Sequence, residues 1–142
     1  MDQIMKFLFE TSQQSAARKL AISMAFLFLG GIFYLGAQPF AAGLIPVPYD
    51  KAAHLAAFSA LTLLLWIGLF RARPMLLIGI VAIVGFLDEW HQKYLPGRSA
   101  DPYDWLFDVL AAVLVVGVLV WLQQQFQRDD DLISDDDEPE HA

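Results

Sequence analysis

The stretch Asp88-Glu89-Trp90-His91-Gln92-Lys93-Tyr94-Leu95-Pro96-Gly97-Arg98 separates two long apolar runs of this 142-residue chain. One run precedes it at residues 75–87, and the other follows at residues 105–122. Two acids, a His, a Gln and an Arg therefore lie where the chain passes between two hydrophobic helices. Ionisable groups at membrane depth mark a functional site by default.

Working outward, two further apolar runs cover residues 20–36 and 52–70. The four runs are 13 to 19 residues long, and three of them are near the length of about 20 residues that a helix needs to cross a bilayer. The chain is 57% hydrophobic and 18% charged, whereas soluble domains are nearer half apolar and a quarter charged. The sequence therefore predicts an all-α integral membrane bundle of four transmembrane helices. A signal peptide over the first run is less favoured, because no small-x-small cleavage site follows it.

The ends of the chain differ from this hydrophobic middle. We predict an N-terminal cytoplasmic or interfacial segment at residues 1–19, a membrane domain at residues 20–122 and an acidic tail at residues 123–142. We expect the tail to be disordered, since a block of like charges repels itself. The net charge of −7 belongs to this tail, because it holds eight of the sixteen acids. No basic patch suggests nucleic acid, and the absence of Cys excludes disulfides and thiolate chemistry.

The basic residues are distributed unevenly between the two ends of the predicted helices. Six Lys and Arg fall on the side of the termini and the 71–74 connector, and three fall on the other side. The positive-inside rule places the six-charge side in the cytoplasm. We therefore predict a multi-pass protein of the bacterial inner (plasma) membrane with both termini cytoplasmic and its polar site on the outer face.

Polar residues from three separate helix ends collect on the predicted outer side. With a rise of about 1.5 Å per residue, Asp88 lies about 21 Å from the start of its helix, inside a hydrocarbon core about 30 Å thick. A carboxylate there costs roughly 2.5–3.5 kcal/mol unless it is paired or faces water. We expect Arg98 to pair with one or two of these carboxylates, and His54 to contact a carboxylate from the third or fourth helix.

At these residues the chain resembles the VanZ-like family of small multi-pass membrane proteins, over about residues 45–120. The matching pieces are Asp50-Lys51-x-x-His54, Asp88-Glu89-x-x-Gln92, Pro96-Gly97-Arg98, and Asp104 with a polar residue four positions later. That last residue is Asp108 where the family often has Asn, and the Gly that usually follows is Ala111 or Ala112. The resemblance implies a link to low-level resistance to the glycopeptide teicoplanin and implies no settled chemistry.

We take His54, Glu89 and Asp104 as candidate catalytic residues, because a His and nearby carboxylates suit proton transfer around neutral pH. The candidate binding residues are Asp50, Lys51, Asp88, Gln92, Arg98 and Asp108. A simpler interpretation stays open for each residue. His54 is also suited to an interhelical hydrogen bond, and a network of acids with Arg98 is suited to fixing helix packing.

Three functions remain open, so the sequence does not decide whether the protein is an enzyme. The first is an envelope enzyme acting on a lipid-linked or cell-wall precursor, and the second is a non-catalytic binder of lipid or antibiotic. The third is a structural or transport-accessory protein. The expected partners are membrane lipids, with a lipid-linked precursor or a glycopeptide as ligand. A divalent metal suits the residue types but is not favoured, because no His-Glu-x-x-His spacing is present. The oligomeric state is left open.

Overall fold

Four helices account for most of the chain in the computed structural model, which describes residues 15–46, 49–69 and 73–136. They are α1 (Ser15–Gly36), α2 (Tyr49–Gly68), α3 (Pro74–Gln92) and α4 (Pro102–Asp136), with a short 3-10 turn at Pro39–Ala41 between α1 and α2. All four are long and apolar enough to cross a membrane, with mean hydropathy between 1.4 and 2.5 over the best window of each. The predicted all-α bundle of four membrane-spanning helices is confirmed.

Proline and aspartate determine where two of the helices begin. Pro74 and Pro102 each occupy a first helical position, where the missing N–H of proline costs nothing. The Asp101 Oδ1 atom accepts a hydrogen bond of 2.9 Å from the Tyr103 N–H, which caps the start of α4. Gly97, with a φ of 74°, turns the chain between α3 and α4 in a conformation that favours glycine.

The interior of the bundle is apolar and contains small residues where helices approach closely. Phe58 and Leu61 of α2 and Val81 of α3 pack with Ala111 and Ala112 of α4 in one buried cluster. The main interfaces of α2 are with α4 and α1, whereas α3 packs mainly on α4. Large apolar side chains also face outward along the helices, as expected for a bundle surrounded by lipid.

Helix α4 is longer than the sequence predicts. It does not end with the apolar run at Leu122 but continues to Asp136, so the structure describes the first part of the predicted tail as helix. Gln is a good helix former, and residues 123–127 contain four of them, so the hydrogen-bond ladder continues past the apolar run. At 35 residues, α4 is about 52 Å long and exceeds the hydrocarbon core.

The predicted segment at residues 1–19 is divided differently by the structure. Residues 15–19 already belong to α1, and residues 1–14 lie outside the described residues, as do residues 137–142 of the acidic tail.

Candidate functional site

A cavity of about 580 Å³ lies at the end of the bundle where α2 begins, α3 ends and α4 begins. Its apolar wall comes from the end of α1 and from the connector that follows, including Leu35, Phe40, Leu44 and Ile45. Its polar wall contains six of the nine candidate site residues: Asp50, His54, Asp88, Gln92, Arg98 and Asp104. The other three, Lys51, Glu89 and Asp108, lie behind this wall and bond to residues in it.

Lys51 connects the beginnings of α2 and α4. Its Nζ lies 2.9 Å from Asp101 Oδ2, 2.9 Å from Asp104 Oδ1 and 3.3 Å from Asp50 Oδ2. One cation therefore serves three carboxylates. The hydrogen bond from the Lys51 ammonium holds the pKa of Asp101 below its ordinary value, because it stabilises the charged carboxylate.

His54 is held by a carboxylate from α4, which confirms the expectation of such a contact. Its Nδ1 lies 2.9 Å from Oδ1 of Asp108, a side chain with 0% exposure. With Asp108 ionised and the imidazole neutral, the ring proton lies on Nδ1 and leaves the lone pair on Nε2. The nearest carboxylate to Nε2 is that of Asp104, at 3.9 Å. The His54 ring also stacks on Phe58 with centroids 6.1 Å apart.

Gly85 makes room for this arrangement, and the sequence reasoning did not single it out. A Cβ atom at Gly85 would lie 2.7 Å from Asp108 Oδ2 and 3.0 Å from Asp108 Cβ. The close approach of α3 to α4 at this level therefore requires a residue without a side chain. Gly85 could have been found from the sequence, because it lies inside an apolar helix, one turn before Asp88 and Glu89. A glycine in such a position usually has a packing reason.

Asp88 and Glu89 close α3 as a pair of buried carboxylates, with 4% and 6% exposure. The Gln92 Nε2 atom donates to Asp88 Oδ2 at 2.9 Å and to Glu89 Oε1 at 3.5 Å. Glu89 Oε2 accepts the backbone N–H of Asp101 at 2.8 Å. Glu89 thus fastens the end of α3 to the beginning of α4. Among the described residues, neither carboxylate forms an ion pair with Lys or Arg.

The expected pairing of Arg98 with carboxylates is wrong. Its Nη1 donates to the Ala41 carbonyl at 3.2 Å, and its buried Nε has no hydrogen-bond partner. In the described part of the chain it makes no ion pair within 4 Å. The reason is geometric: the turn at Gly97 directs Arg98 toward the connector after α1, and Lys51 neutralises the acids at the beginnings of α2 and α4 instead.

Three of the candidates have ligand-type atoms close enough to be considered for a metal ion. His54, Asp88 and Glu89 each offer one such atom, and these atoms lie within 4.8 Å of one another. Taken together, the site combines an oriented imidazole, buried acids, an arginine at the cavity wall and an adjoining apolar surface.

Comparison with known proteins adds one match. A family model described as VanZ/LLP1 matches residues 2–123, which is most of the chain. No curated protein and no solved structure matches it.

Proposed function

Because this chain belongs to the VanZ/LLP1 family and has a polar cavity at one end of a helical membrane bundle, we propose that it is an enzyme of the bacterial envelope. Its substrate class is a lipid-linked or cell-wall precursor that enters the cavity from the outer leaflet of the inner membrane. The termini then face the cytoplasm, in agreement with the excess of Lys and Arg at that end.

The hydrogen bond between His54 and Asp108 carries this proposal. A fully buried carboxylate that binds Nδ1 keeps the imidazole in one tautomer and orientation and raises the basicity of Nε2. His54 then accepts the proton of an attacking water or hydroxyl group, and Glu89 or Asp104 assists proton transfer to the leaving group. Positioned acids and bases of this kind contribute about 10²–10⁴-fold to a reaction rate.

The rest of the cavity suits an anionic amphiphile. Arg98 is the cation on the cavity wall without an ion pair in the described chain, and its Nε is unsatisfied. A phosphate or carboxylate accepts two parallel hydrogen bonds from a guanidinium group. The apolar side chains of Leu35, Phe40 and Leu44 offer a surface for the hydrocarbon part of the same molecule. These features support recognition of a lipid with an acidic head group.

The test is turnover by the full-length protein in lipid nanodiscs, incubated with a bacterial envelope lipid extract and followed by mass spectrometry. We expect the wild type to convert one lipid species, and we expect His54→Ala and Glu89→Gln to reduce the conversion by about 10²-fold or more. Circular dichroism should show that both variants retain their helices. The control is Gly79→Ala, because Gly79 lies on α3 outside the cavity lining and an added Cβ there would meet nothing within 4 Å.

The other outcomes separate the alternatives. Lipid that co-purifies with the wild type without turnover would indicate a non-catalytic lipid-binding protein. The apolar wall and Arg98 also favour that function. Loss of folding in both variants, with no lipid bound to the wild type, makes the polar cluster a structural element. We also propose a link to low-level teicoplanin resistance, which the family resemblance implies. Growth at graded teicoplanin concentrations, with and without expression of wild type and His54→Ala, is therefore a second readout of the same variants.

A further inference from the structure

We infer that the side chains of His54, Asp88 and Glu89 bind one divalent metal ion at the polar end of the bundle. This inference rests on the proposed function in one respect only, namely that the ion would contact an acidic substrate in the cavity. Binding of the ion is a property of the protein that can be measured without any substrate.

The geometry of the three side chains suits a single ion. Their ligand atoms come from α2 and α3 and lie within 4.8 Å of one another. Ligands bound at about 2.0–2.2 Å from one ion are at most about 4.4 Å apart. Small rotations of the side chains therefore bring all three within bonding distance.

The buried charges of Asp88 and Glu89 also favour a metal ion. Asp88 and Glu89 are almost fully buried, yet their polar partners are the amide of Gln92 and the backbone N–H of Asp101. Lys51 is engaged by three other acids, and Arg98 contacts a backbone carbonyl instead. Buried carboxylates are ordinarily paired with a cation or coordinated to a metal. A divalent ion supplies the direct cationic partner that no Lys or Arg of the described part of the chain provides for this pair.

The contact behind His54 is a separate observation that favours a metal. A metal-binding His almost always donates its other ring N–H to a carboxylate or carbonyl, which fixes the ring and raises its basicity. Asp108 occupies that position on Nδ1, at 2.9 Å. Its second oxygen is buried without a partner, so the carboxylate keeps its full acceptor strength for His54. Nε2 is then the nitrogen available to the ion.

The ligand set indicates the kind of ion. One imidazole and two carboxylates suit Mn²⁺ or Zn²⁺, whereas Ca²⁺ takes six to eight oxygen ligands. Three protein ligands leave coordination positions open for water or a substrate oxygen. With the ion bound, His54 and Glu89 act as ligands and no longer as the base and acid described above. Loss of either side chain is expected to abolish activity in both cases.

The test is a titration of the full-length protein in nanodiscs with Mn²⁺, followed by electron paramagnetic resonance of the free ion. We expect one tight site per chain in the wild type and in Gly79→Ala, and loss of that site in His54→Ala and Asp88→Asn. Asp108→Asn should weaken binding by about 10–100-fold, the usual effect of losing the partner behind a metal ligand. The acidic tail is present in every variant, so its weak binding forms a constant background.

Two results would overturn the inference: a wild type that shows only this background, or a His54→Ala variant that binds Mn²⁺ as the wild type does. Should His54→Ala fail to fold, His54→Gln provides the same test, because its amide can still donate to Asp108 but no ring nitrogen remains. The inference and the proposed function fail separately. Lipid turnover in EDTA, with no ion bound, would contradict only the metal site. Tight Mn²⁺ binding without turnover would contradict only the proposed enzyme.

Discussion

At the scale of single residues, Asp108 has the most constrained environment in the site. It is fully buried, makes its hydrogen bond to His54 from α2, and lies over Gly85 of α3. Three helices therefore meet at one carboxylate. Its charge and its position both depend on neighbours that are distant in the sequence. Small changes in packing should therefore alter its hydrogen bond to His54.

Gly85→Ala tests this dependence. The added Cβ would lie 2.7 Å from Asp108 Oδ2, so the carboxylate must shift and its bond to His54 weakens. We expect a loss of about 1–3 kcal/mol in the free energy of unfolding, typical of overpacking, together with reduced turnover and weaker Mn²⁺ binding. Thermal unfolding in detergent measures the first effect.

Gly79→Ala is the matched control, because Gly79 lies on the same helix and a Cβ there would meet nothing within 4 Å. Its stability should stay unchanged or rise slightly, since Ala is the better helix former. Equal destabilisation by the two substitutions would show that α3 needs both glycines for a reason unrelated to Asp108.

At the scale of the helices, the site is held together at helix ends. Lys51 connects the beginning of α2 to the beginning of α4, and Glu89 connects the end of α3 to the backbone of Asp101. Asp101 is therefore a junction: its carboxylate caps α4 and receives Lys51, and its N–H binds Glu89. The charge of this residue and its capping hydrogen bond can be separated experimentally.

Asp101→Asn removes the charge and keeps a side chain that caps helices well. Because Lys51 lowers the folded-state pKa of Asp101 below the ordinary value of 3.8, the charge stabilises the protein above that pH. Its contribution is lost as the pH falls through the lowered folded-state pKa. We expect the wild type to be the more stable protein from pH 5 to 8, and the difference to shrink below about pH 4. Thermal unfolding as a function of pH measures this, and a difference that persists at low pH would assign the effect to the cap.

At the scale of the whole molecule, the candidate site lies at one end of a bundle whose sides are mostly apolar. The cavity joins that polar end to apolar side chains of α1 and its connector, so an amphiphilic molecule can place its head and its chain in one site. The position of this end relative to the membrane determines which leaflet supplies the ligand, and it stays a prediction from the distribution of Lys and Arg.

The chain contains no Cys, which makes single-cysteine labelling a direct test of orientation. Ala100→Cys lies in the exposed connector between α3 and α4, and Gln127→Cys lies on an exposed position of α4, about 38 Å from its start. A membrane-impermeant maleimide should label Ala100→Cys in intact spheroplasts and Gln127→Cys only after permeabilisation. The reverse pattern would move the cavity to the cytoplasmic side and exclude an outer-leaflet substrate.

Much of the fold and of the candidate site could be predicted from the sequence, because the evidence for both is local. Four apolar runs of spanning length correspond to four helices, and the spacing of Asp50 and His54 places both on the cavity wall. The end of α4 could not be read in the same way, since hydropathy marks where lipid contact stops and not where the hydrogen-bond ladder stops.

The sequence alone determined that four helices form and that ionisable groups gather at their ends, since hydropathy and helical spacing act over a few residues. Only the tertiary structure decided which groups pair: Lys51 rather than Arg98 neutralises the acids of α2 and α4, and Asp108 holds His54. These partners lie 50 or more residues apart in the chain. Their contact depends on the rotation and depth of each helix, which the packing around Gly85, Ala111 and Phe58 sets.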